Sequence, residues 1–313
     1  MFLDDSACNL ASINLLKFVD EDGNFDVEGF KHACRIFFIS QEILVDFSSY
    51  PTRKIVQNSH DYRPLGLGYA NLGTLLMVNS IPYDSEEGYA VAGALTAILC
   101  GEAYRTSAEM AAVKGPFSSF DKNREPMLHV MSKHRDAAYR ISPDVCPPHL
   151  LKAAQQTWDD AVEMGRQYGY RNAQATVLAP TGTIGLLMEC DTTGVEPEFA
   201  LVKFKKLAGG GYFKIINQSV PRALKKLGYT DEEIDDIVTY VQGTSSLIGS
   251  SHINNVSLKQ KSLTDEEIGQ IEATLPSVFE LAHGFNAYTV GEEGMARLGF
   301  GPEQYNAPDF DFS

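Results

Sequence analysis

The pattern of hydrophobic and polar positions changes its period along the chain, and this predicts both strands and helices. Between residues 10 and 15 the odd-numbered positions are apolar, which predicts a strand with one apolar face. Residues 174–178 are apolar and partly β-branched, which is typical of a short buried strand. Apolar residues recur at helical spacing over 27–47 and 149–168, which predicts two amphipathic helices. The pattern as a whole indicates the α/β class.

Local signals predict further elements between these segments. Asp84 can cap a third long helix, with Glu87 as its reciprocal partner, and Gly115 and Pro116 end that helix. Residues 116–147 are polar and contain four prolines. This stretch is predicted to be a polar surface excursion with a short helix.

The last third of the chain, about 221–313, is predicted to be a helical appendage. Capping boxes at 230–233 and 264–267 start two short acidic helices. Residues 252–256 suit either a strand or a linker, and three glycines at 209–211 predict a flexible connector.

Residues 179–185 form the strongest candidate for a binding site. A strand that breaks here and continues as a helix, predicted to start at Leu186, leaves backbone N–H groups without intrahelical acceptors. Its glycines would let an anion approach, and its hydroxyls can donate to it. The candidate phosphate-binding residues are Pro180, Thr181, Gly182, Thr183, Ile184 and Gly185. Spacing alone is equally consistent with an ordinary threonine-capped turn, because the segment is neither a Walker loop nor a dinucleotide fingerprint.

Composition narrows the class of protein. The chain has 313 residues, 44% of them hydrophobic, and a formal net charge of −15. We expect no nucleic-acid partner for so acidic a chain, although a nucleotide needs only a local group of donors. There is no apolar run of 18 residues and no signal-peptide pattern, so we expect no membrane association and a cytoplasmic location.

The five cysteines are widely spaced and include no Cys-x-x-Cys pair, and the histidines show no metal-ligand spacing. We therefore predict neither a metal site nor a disulfide framework. Cys34 and Cys100 lie in helical apolar patterns and are predicted to be core residues, and Cys190 is also assigned a structural role. Cys8 stands at the entrance of the first strand, where the residues alone favour a buried cysteine over a reactive thiol.

Four ordered motifs resemble the large chain of ribonucleotide reductases, and most closely the adenosylcobalamin-dependent class II enzymes. The matching segments are SACNLASINL at 6–15, RPLGLG at 63–68 with PYDSEE at 82–87, RNAQAT at 171–176 before the turn, and DTTGVEP at 191–197 after it. The resemblance covers most of residues 1–300.

This resemblance implies a fold and a reaction. The fold would be half of a ten-stranded α/β barrel with surrounding helices, residues 1–313 being the C-terminal half of the catalytic barrel domain. The family removes the 2′-hydroxyl of ribonucleotides by thiyl-radical chemistry, and in class II the radical arises from homolysis of the cobalt–carbon bond of adenosylcobalamin. Cys8 would be one of two reducing thiols that end as a disulfide, and 180–185 would bind the substrate phosphate.

The resemblance also implies a lining for the substrate pocket, with Asn9, Gly66, Gly68 and Glu196 as candidates. The residues themselves leave alternatives open. The two glycines suit tight packing as well as a nearby ligand, and Glu196 is either a buried carboxylate or a turn residue before proline.

The family's Asn-Pro-Cys-x-Glu loop carries the radical cysteine, and it does not occur in this sequence. In the family it lies just upstream of the cysteine matched by Cys8, so we expect it before Met1. We therefore expect a companion chain that carries the N-terminal half-barrel and this loop, and we expect the present chain to be inactive alone. Half a barrel also exposes strand edges and an apolar face, which predicts oligomerisation.

Three hypotheses follow. In the first, the chain is part of a class II reductase acting on ribonucleoside di- or triphosphates. In the second, it is a non-catalytic nucleotide-binding or assembly subunit that kept the fold. The third, an unrelated acidic α/β scaffold, requires four ordered motifs to coincide by chance.

Overall fold

The computed structural model describes residues 3–206, 212–278, 281–307 and 310, so the predicted connector at 209–211 lies outside the described residues. The chain divides into two compact units. The first comprises Met1–Phe199 with Gln218–Gly228, and the second comprises Ala200–Asn217 with Tyr229–Ser313.

The first unit is built from two strands and eight α-helices among its described residues. In chain order they are β1 (Asn9–Asn14), a 3-10 helix (Leu15–Phe18), α1 (Val27–Phe47), α2 (Arg53–Tyr62), β2 (Leu65–Ala70), α3 (Leu72–Val78), α4 (Glu86–Lys114), α5 (Phe120–Tyr139), α6 (Pro148–Tyr168), α7 (Gly182–Leu187) and, after the second unit's hairpin, α8 (Val220–Lys226). The predicted helices at 27–47 and 149–168 are thus confirmed as α1 and α6.

The second unit combines a hairpin with short helices. Its elements are β3 (Val202–Lys206), β4 (Tyr212–Ile216), α9 (Asp231–Gln242), α10 (Asn255–Gln260), α11 (Asp265–Thr274), 3-10 helices at Leu275–Ser277 and Leu281–Gly284, α12 (Ala287–Val290), α13 (Glu292–Arg297) and α14 (Pro302–Tyr305). Both predicted capping boxes are present, at the starts of α9 and α11. Residues 252–254 are irregular, which agrees with the linker alternative, and 255–256 begin α10 behind its cap Asn254.

The sheet of the first unit is small and open. β1 and β2 pair in parallel, from Asn9 opposite Leu65 to Asn14 opposite Ala70. The predicted strand at 174–178 runs along the other edge of β2, where it forms one parallel bridge between Leu67 and Thr176. The described residues therefore do not form the expected half of a ten-stranded barrel, since β1 has a strand partner on only one edge.

The inner face of this sheet packs against α1 and α4, and α4 packs in turn against α6. The alternation predicted for residues 10–15 is present in part: Ile13 and Leu15 are buried on this face, but Asn14 is buried as well. On the opposite face Leu10 is 62% exposed. One side of the sheet therefore faces the core. The other side, here called the open face, is exposed at Leu10 on β1 but covered along β2, whose six residues are all buried.

Two local predictions are corrected. Ser85, not Asp84, caps α4, because its extended backbone lets its hydroxyl accept from the Gly88 N–H. The range 116–147 contains a 20-residue helix, α5, in place of a short one. α5 packs against α6, with His134 stacked on Trp158 at 5.2 Å between ring centroids. α5 buries too few residues to produce a recognisable helical pattern of apolar positions among its charged residues.

The described helices include none that is both long enough and apolar enough to cross a membrane.

Candidate functional site

The segment 179–185 bends sharply at Thr181, which adopts the left-handed conformation (φ 56°, ψ 34°). This bend ends the extended segment and starts α7 at Gly182, four residues before the predicted start at Leu186. The Thr181 hydroxyl oxygen accepts the Gly194 N–H at 2.8 Å, and Thr181 is buried. Its hydroxyl oxygen therefore stabilises the turn from inside.

The part of the turn that faces solvent is 182–184, and all three of its residues are exposed. Their N–H groups belong to the first turn of α7, so they lack intrahelical acceptors. No heavy atom outside the immediate chain lies within 4 Å of the position that a Cβ would take on Gly182. An anion can therefore reach these N–H groups and the Thr183 hydroxyl without displacing protein atoms. Pro180 is exposed at the edge of the turn, and Gly185 is buried beneath it.

Cys8 lies on the open face of the sheet, next to the segment that leads into the turn. The Cβ position of Gly66 is 2.5 Å from Leu10 Cδ2, 2.6 Å from Val177 Cγ1 and 3.0 Å from Cys8 Sγ, so these three side chains meet over this glycine. Two residues further along β2, the position that a Cβ would take on Gly68 lies 3.6 Å from the Ala179 N and overlaps the Val177 carbonyl oxygen. Both glycines are buried, so their lack of a side chain allows the Cys8 segment and residues 177–179 to pack closely on β2. Of the two alternatives for these glycines, the structure shows tight packing.

Partial burial raises the pKa of the Cys8 thiol above its ordinary value. The thiol is therefore protonated at neutral pH.

Asn9 and Glu196 are placed differently from the glycines. The Asn9 Nδ2 donates to the Gln41 carbonyl at 3.2 Å, so its side chain faces α1 and not the open face. Glu196 is exposed, and its carboxylate accepts from the Thr193 hydroxyl at 3.2 Å in the turn 193–196. Of the two alternatives for Glu196, the structure shows the turn residue and not the buried carboxylate.

A buried amide network that the sequence did not reveal joins the segments of the site. The Asn71 Nδ2 donates to Asn14 Oδ1 at 3.0 Å, and the Asn14 Nδ2 donates to the Met188 carbonyl at 3.0 Å. Asn71 Oδ1 in turn accepts the N–H of Thr192 at 3.1 Å. β1, β2 and the chain after the turn are thereby tied together. The available signal was a polar Asn14 at the end of an apolar strand and Asn71 directly after β2.

Three of the residues that carry the family resemblance have a structural role. Buried Glu42 on α1 accepts from Arg63 Nε at 2.5 Å, from Arg171 Nε at 2.9 Å and from Asn172 Nδ2 at 2.6 Å. Arg63 also donates to Asp46 at 2.8 Å. This charge cluster fixes the start of β2 and the start of the segment that leads to the turn.

The other cysteines lie in the interior. Cys34 is fully buried in the core, as predicted. Cys100 Sγ lies 3.2 Å from the Thr176 hydroxyl on the core side of the sheet. Burial raises the pKa of Cys100, and also that of Cys190, to about 11. The described residues contain no group of three or more His, Cys, Asp or Glu side chains that could hold a metal ion.

The fold and the site define an α/β protein with a thiol and an anion-accessible turn on one open sheet face. Residues 1–267 match the family model for the ribonucleotide reductase barrel domain. The chain belongs to this family.

Proteins similar to this chain in sequence are named as reductases of the same family. The vitamin B12-dependent ribonucleotide reductase of Bradyrhizobium diazoefficiens is 51% identical over 99% of this chain and 26% of its own length. The protein of the same name from Rhodopirellula baltica is 58% identical over 80% of this chain and 24% of its own length. Ribonucleoside-diphosphate reductase subunit alpha of Chlamydia muridarum is 25% identical over 92% of this chain and 27% of its own length. The chain thus spans about a quarter of the length of these relatives.

Proposed function

We propose that this chain is part of a ribonucleotide reductase that converts ribonucleotides to deoxyribonucleotides, with Cys8 as one reducing thiol and 180–185 as the substrate-phosphate turn. The observation that carries the proposal is the meeting of Cys8 and Val177 over Gly66, two residues before the turn. A nucleotide whose phosphate is held by the N–H groups of 182–184 would extend its sugar along residues 177–179 towards the Cys8 thiol.

The proposed step balances with one further thiol. Cys8 and a second cysteine lose two electrons and two protons and form a disulfide. The ribonucleotide gains both, its C2′–O bond breaks, and the 2′-hydroxyl leaves as water. We assign the second cysteine and the radical cysteine to a companion chain, whose half-barrel would pair with the open sheet described here.

Adenosylcobalamin is proposed as a cofactor of the complete enzyme, in line with the names of the relatives. Around Cys8 and the turn the described residues offer a thiol, hydroxyls, amides and small side chains. This donor set fits a nucleotide and does not fit a corrin ring, which needs a broad apolar cradle. We therefore assign no cobalamin contact to this chain.

The test is reconstitution of the complete enzyme. This chain is combined with a companion half-barrel and adenosylcobalamin, and deoxynucleotide is measured with both di- and triphosphate substrates. Cys8→Ser is expected to abolish product, whereas Cys146→Ala, at a buried cysteine with no assigned role, retains activity. Full activity in Cys8→Ser would refute the proposal.

A non-catalytic nucleotide-binding subunit is the second candidate, and the exposed N–H groups of 182–184 favour it because they need no companion chain. Calorimetry on this chain alone would then show nucleotide binding that weakens in Thr183→Ala. Such binding, together with no product in the reconstituted mixture, would select this candidate over the reductase.

A further inference from the structure

The backbone on both sides of Cys8 is held by polar side chains from two helices. On one side the Ala7 N–H donates to the hydroxyl of Ser59 on α2 at 3.0 Å. On the other side the Asn9 carbonyl accepts from Nε2 of Gln41 on α1 at 2.7 Å, and the Asn9 Nδ2 donates back to the Gln41 carbonyl at 3.2 Å. Ser59 and Gln41 are 0% and 3% exposed, so water does not compete for these bonds.

Packing alone does not explain a glutamine at position 41. Its Oε1 is buried and has no hydrogen-bond partner among the described residues, which carries a desolvation cost. An apolar side chain of similar volume would avoid that cost. What glutamine adds is the amide N–H that donates to the Asn9 carbonyl. This hydrogen bond, which holds the Cys8 segment, explains why residue 41 is a glutamine.

The thiol itself is held much more weakly than the backbone that carries it. Cys8 Sγ lies 3.8 Å from the Asn9 carbonyl oxygen, the same oxygen that Gln41 already engages. A disulfide requires two Cβ atoms about 3.5–4.5 Å apart with a defined torsion. Because the backbone of Cys8 is fixed, its Cβ keeps the same distance from a partner cysteine in every cycle of oxidation and reduction. The weakly held Sγ can then rotate to reach the required torsion.

We propose that Gln41 and Ser59 are positioning residues for Cys8, which hold its backbone in place for thiol–disulfide exchange and limit access of water to the thiol. The proposal rests on the proposed function only in taking exchange at Cys8 as the relevant reaction. Both residues are buried and act through the backbone on either side of Cys8.

The test measures how fast Cys8 of the intact chain reacts with 5,5′-dithiobis(2-nitrobenzoate) across the alkaline pH range, with the modified cysteine identified by peptide mass spectrometry. In Gln41→Met and Ser59→Ala the segment loosens and water reaches the thiol, so its pKa falls towards the ordinary value. The rate near pH 8 is expected to rise by about twofold or more, because a fall of about half a pKa unit triples the thiolate fraction while it lowers the nucleophilicity of the thiolate.

Two controls make the outcome specific. Ser59→Thr keeps the hydroxyl and is expected to retain the original pH profile. Gln57→Met changes an exposed glutamine on α2 that donates to Asp61, and it should leave Cys8 unaffected.

An unchanged rate and pH profile in both test variants would overturn the proposal. So would a gain at Cys8 matched by an equal gain at fully buried Cys34, because that pattern reports general unfolding. The experiment uses neither nucleotide nor companion chain, so its result is independent of the activity test with Cys8→Ser.

Discussion

The side-chain oxygen of Asn71 accepts two hydrogen bonds from Thr192, one from the backbone N–H at 3.1 Å and one from the hydroxyl at 3.3 Å. Both residues are almost completely buried. Asn71 follows β2 and Thr192 follows the turn, so the chain leaving the turn is attached to the end of the sheet. The Thr192 hydroxyl oxygen also accepts the Thr74 N–H at 3.1 Å. It thereby caps α3, whose own first flanking residue, Asn71, makes no side-chain cap.

Replacing Thr192 with the isosteric valine should therefore destabilise the fold. The change leaves the Thr74 N–H buried without an acceptor and removes one of the bonds to Asn71. A cost of about 1–3 kcal/mol in the free energy of unfolding is expected, measured by urea denaturation. Thr193→Val is the matched control, since the Thr193 hydroxyl donates to Glu196 in an exposed bond. Equal losses in both variants would contradict this account.

Regular periodicity predicted much of the frame. The apolar spacing at 27–47 and 149–168 predicted α1 and α6, and the alternation at 10–15 predicted β1, because each of these elements buries one face against the core. α5 was predicted too short because a helix that buries only Phe120, Met131 and Ala138 leaves a weak pattern.

The small size of the sheet was not predicted, because pairing between strands depends on partners far away in sequence. The segment at 174–178 has the composition of a strand but makes a single bridge before the chain turns at Thr181.

The site was predicted in part. Glycines at 66 and 68 were recognised as positions of close approach, and the structure brings them beneath Cys8, Val177 and Ala179. The Asn71–Thr192 attachment and the Gln41–Asn9 contact join residues 121 and 32 positions apart. Isolated buried polar residues of this kind leave no periodic signal.

Gly68→Ala should disturb the site directly. The added methyl group would overlap the Val177 carbonyl oxygen, and this backbone cannot retreat freely because the Val177 N–H donates to Leu67 at 3.0 Å. A loss of about 1–3 kcal/mol in unfolding free energy is expected, as for other overpacked positions. Thermal and urea unfolding would show it. A variant as stable as the original chain would mean that the two segments are not in contact.

Glu42→Gln tests the buried charge cluster. The neutral side chain would leave the guanidinium of Arg171 without its carboxylate and would weaken the hold on Arg63. A destabilisation of about 3–5 kcal/mol is expected, typical of a buried ion pair that loses one partner. Glu28→Gln, which removes the 84% exposed carboxylate of an ion pair with Lys31 on the same helix, should cost no more than about 1 kcal/mol. Similar small effects in the two variants would show that the cluster contributes little.

Protonation of Asp46 should make the stability of the fold depend on pH in the acid range. The hydrogen bond from Arg63 lowers the pKa of the Asp46 carboxyl in the folded state. A group whose folded pKa is depressed stabilises the fold above its unfolded pKa, about 3.9 for aspartate, and loses that contribution as the pH falls through the folded pKa. Asp46 is half-exposed, so the contribution is small and is screened by salt.

Urea unfolding of the original chain and of Asp46→Asn, compared from pH 6 downward, should show a stability difference that shrinks below about pH 4. High salt should reduce the difference at pH 6. A difference that does not vary with pH would contradict the role given to the Arg63 bond.

Gly182→Ala separates ligand binding from folding at the turn. No heavy atom lies near the added methyl group, and position 182 is the first residue of α7, where alanine is a better helix former than glycine. The variant should therefore be as stable as the original chain or slightly more stable. Its methyl group would nevertheless occupy the space through which a phosphate approaches the N–H groups of 182–184, so nucleotide affinity by calorimetry should fall by about tenfold, equivalent to 1.4 kcal/mol. Gly269→Ala, in the open middle of α11, controls for the change of residue type and should leave affinity unchanged. A stable Gly182→Ala variant with unaltered nucleotide affinity would move the phosphate site away from this turn.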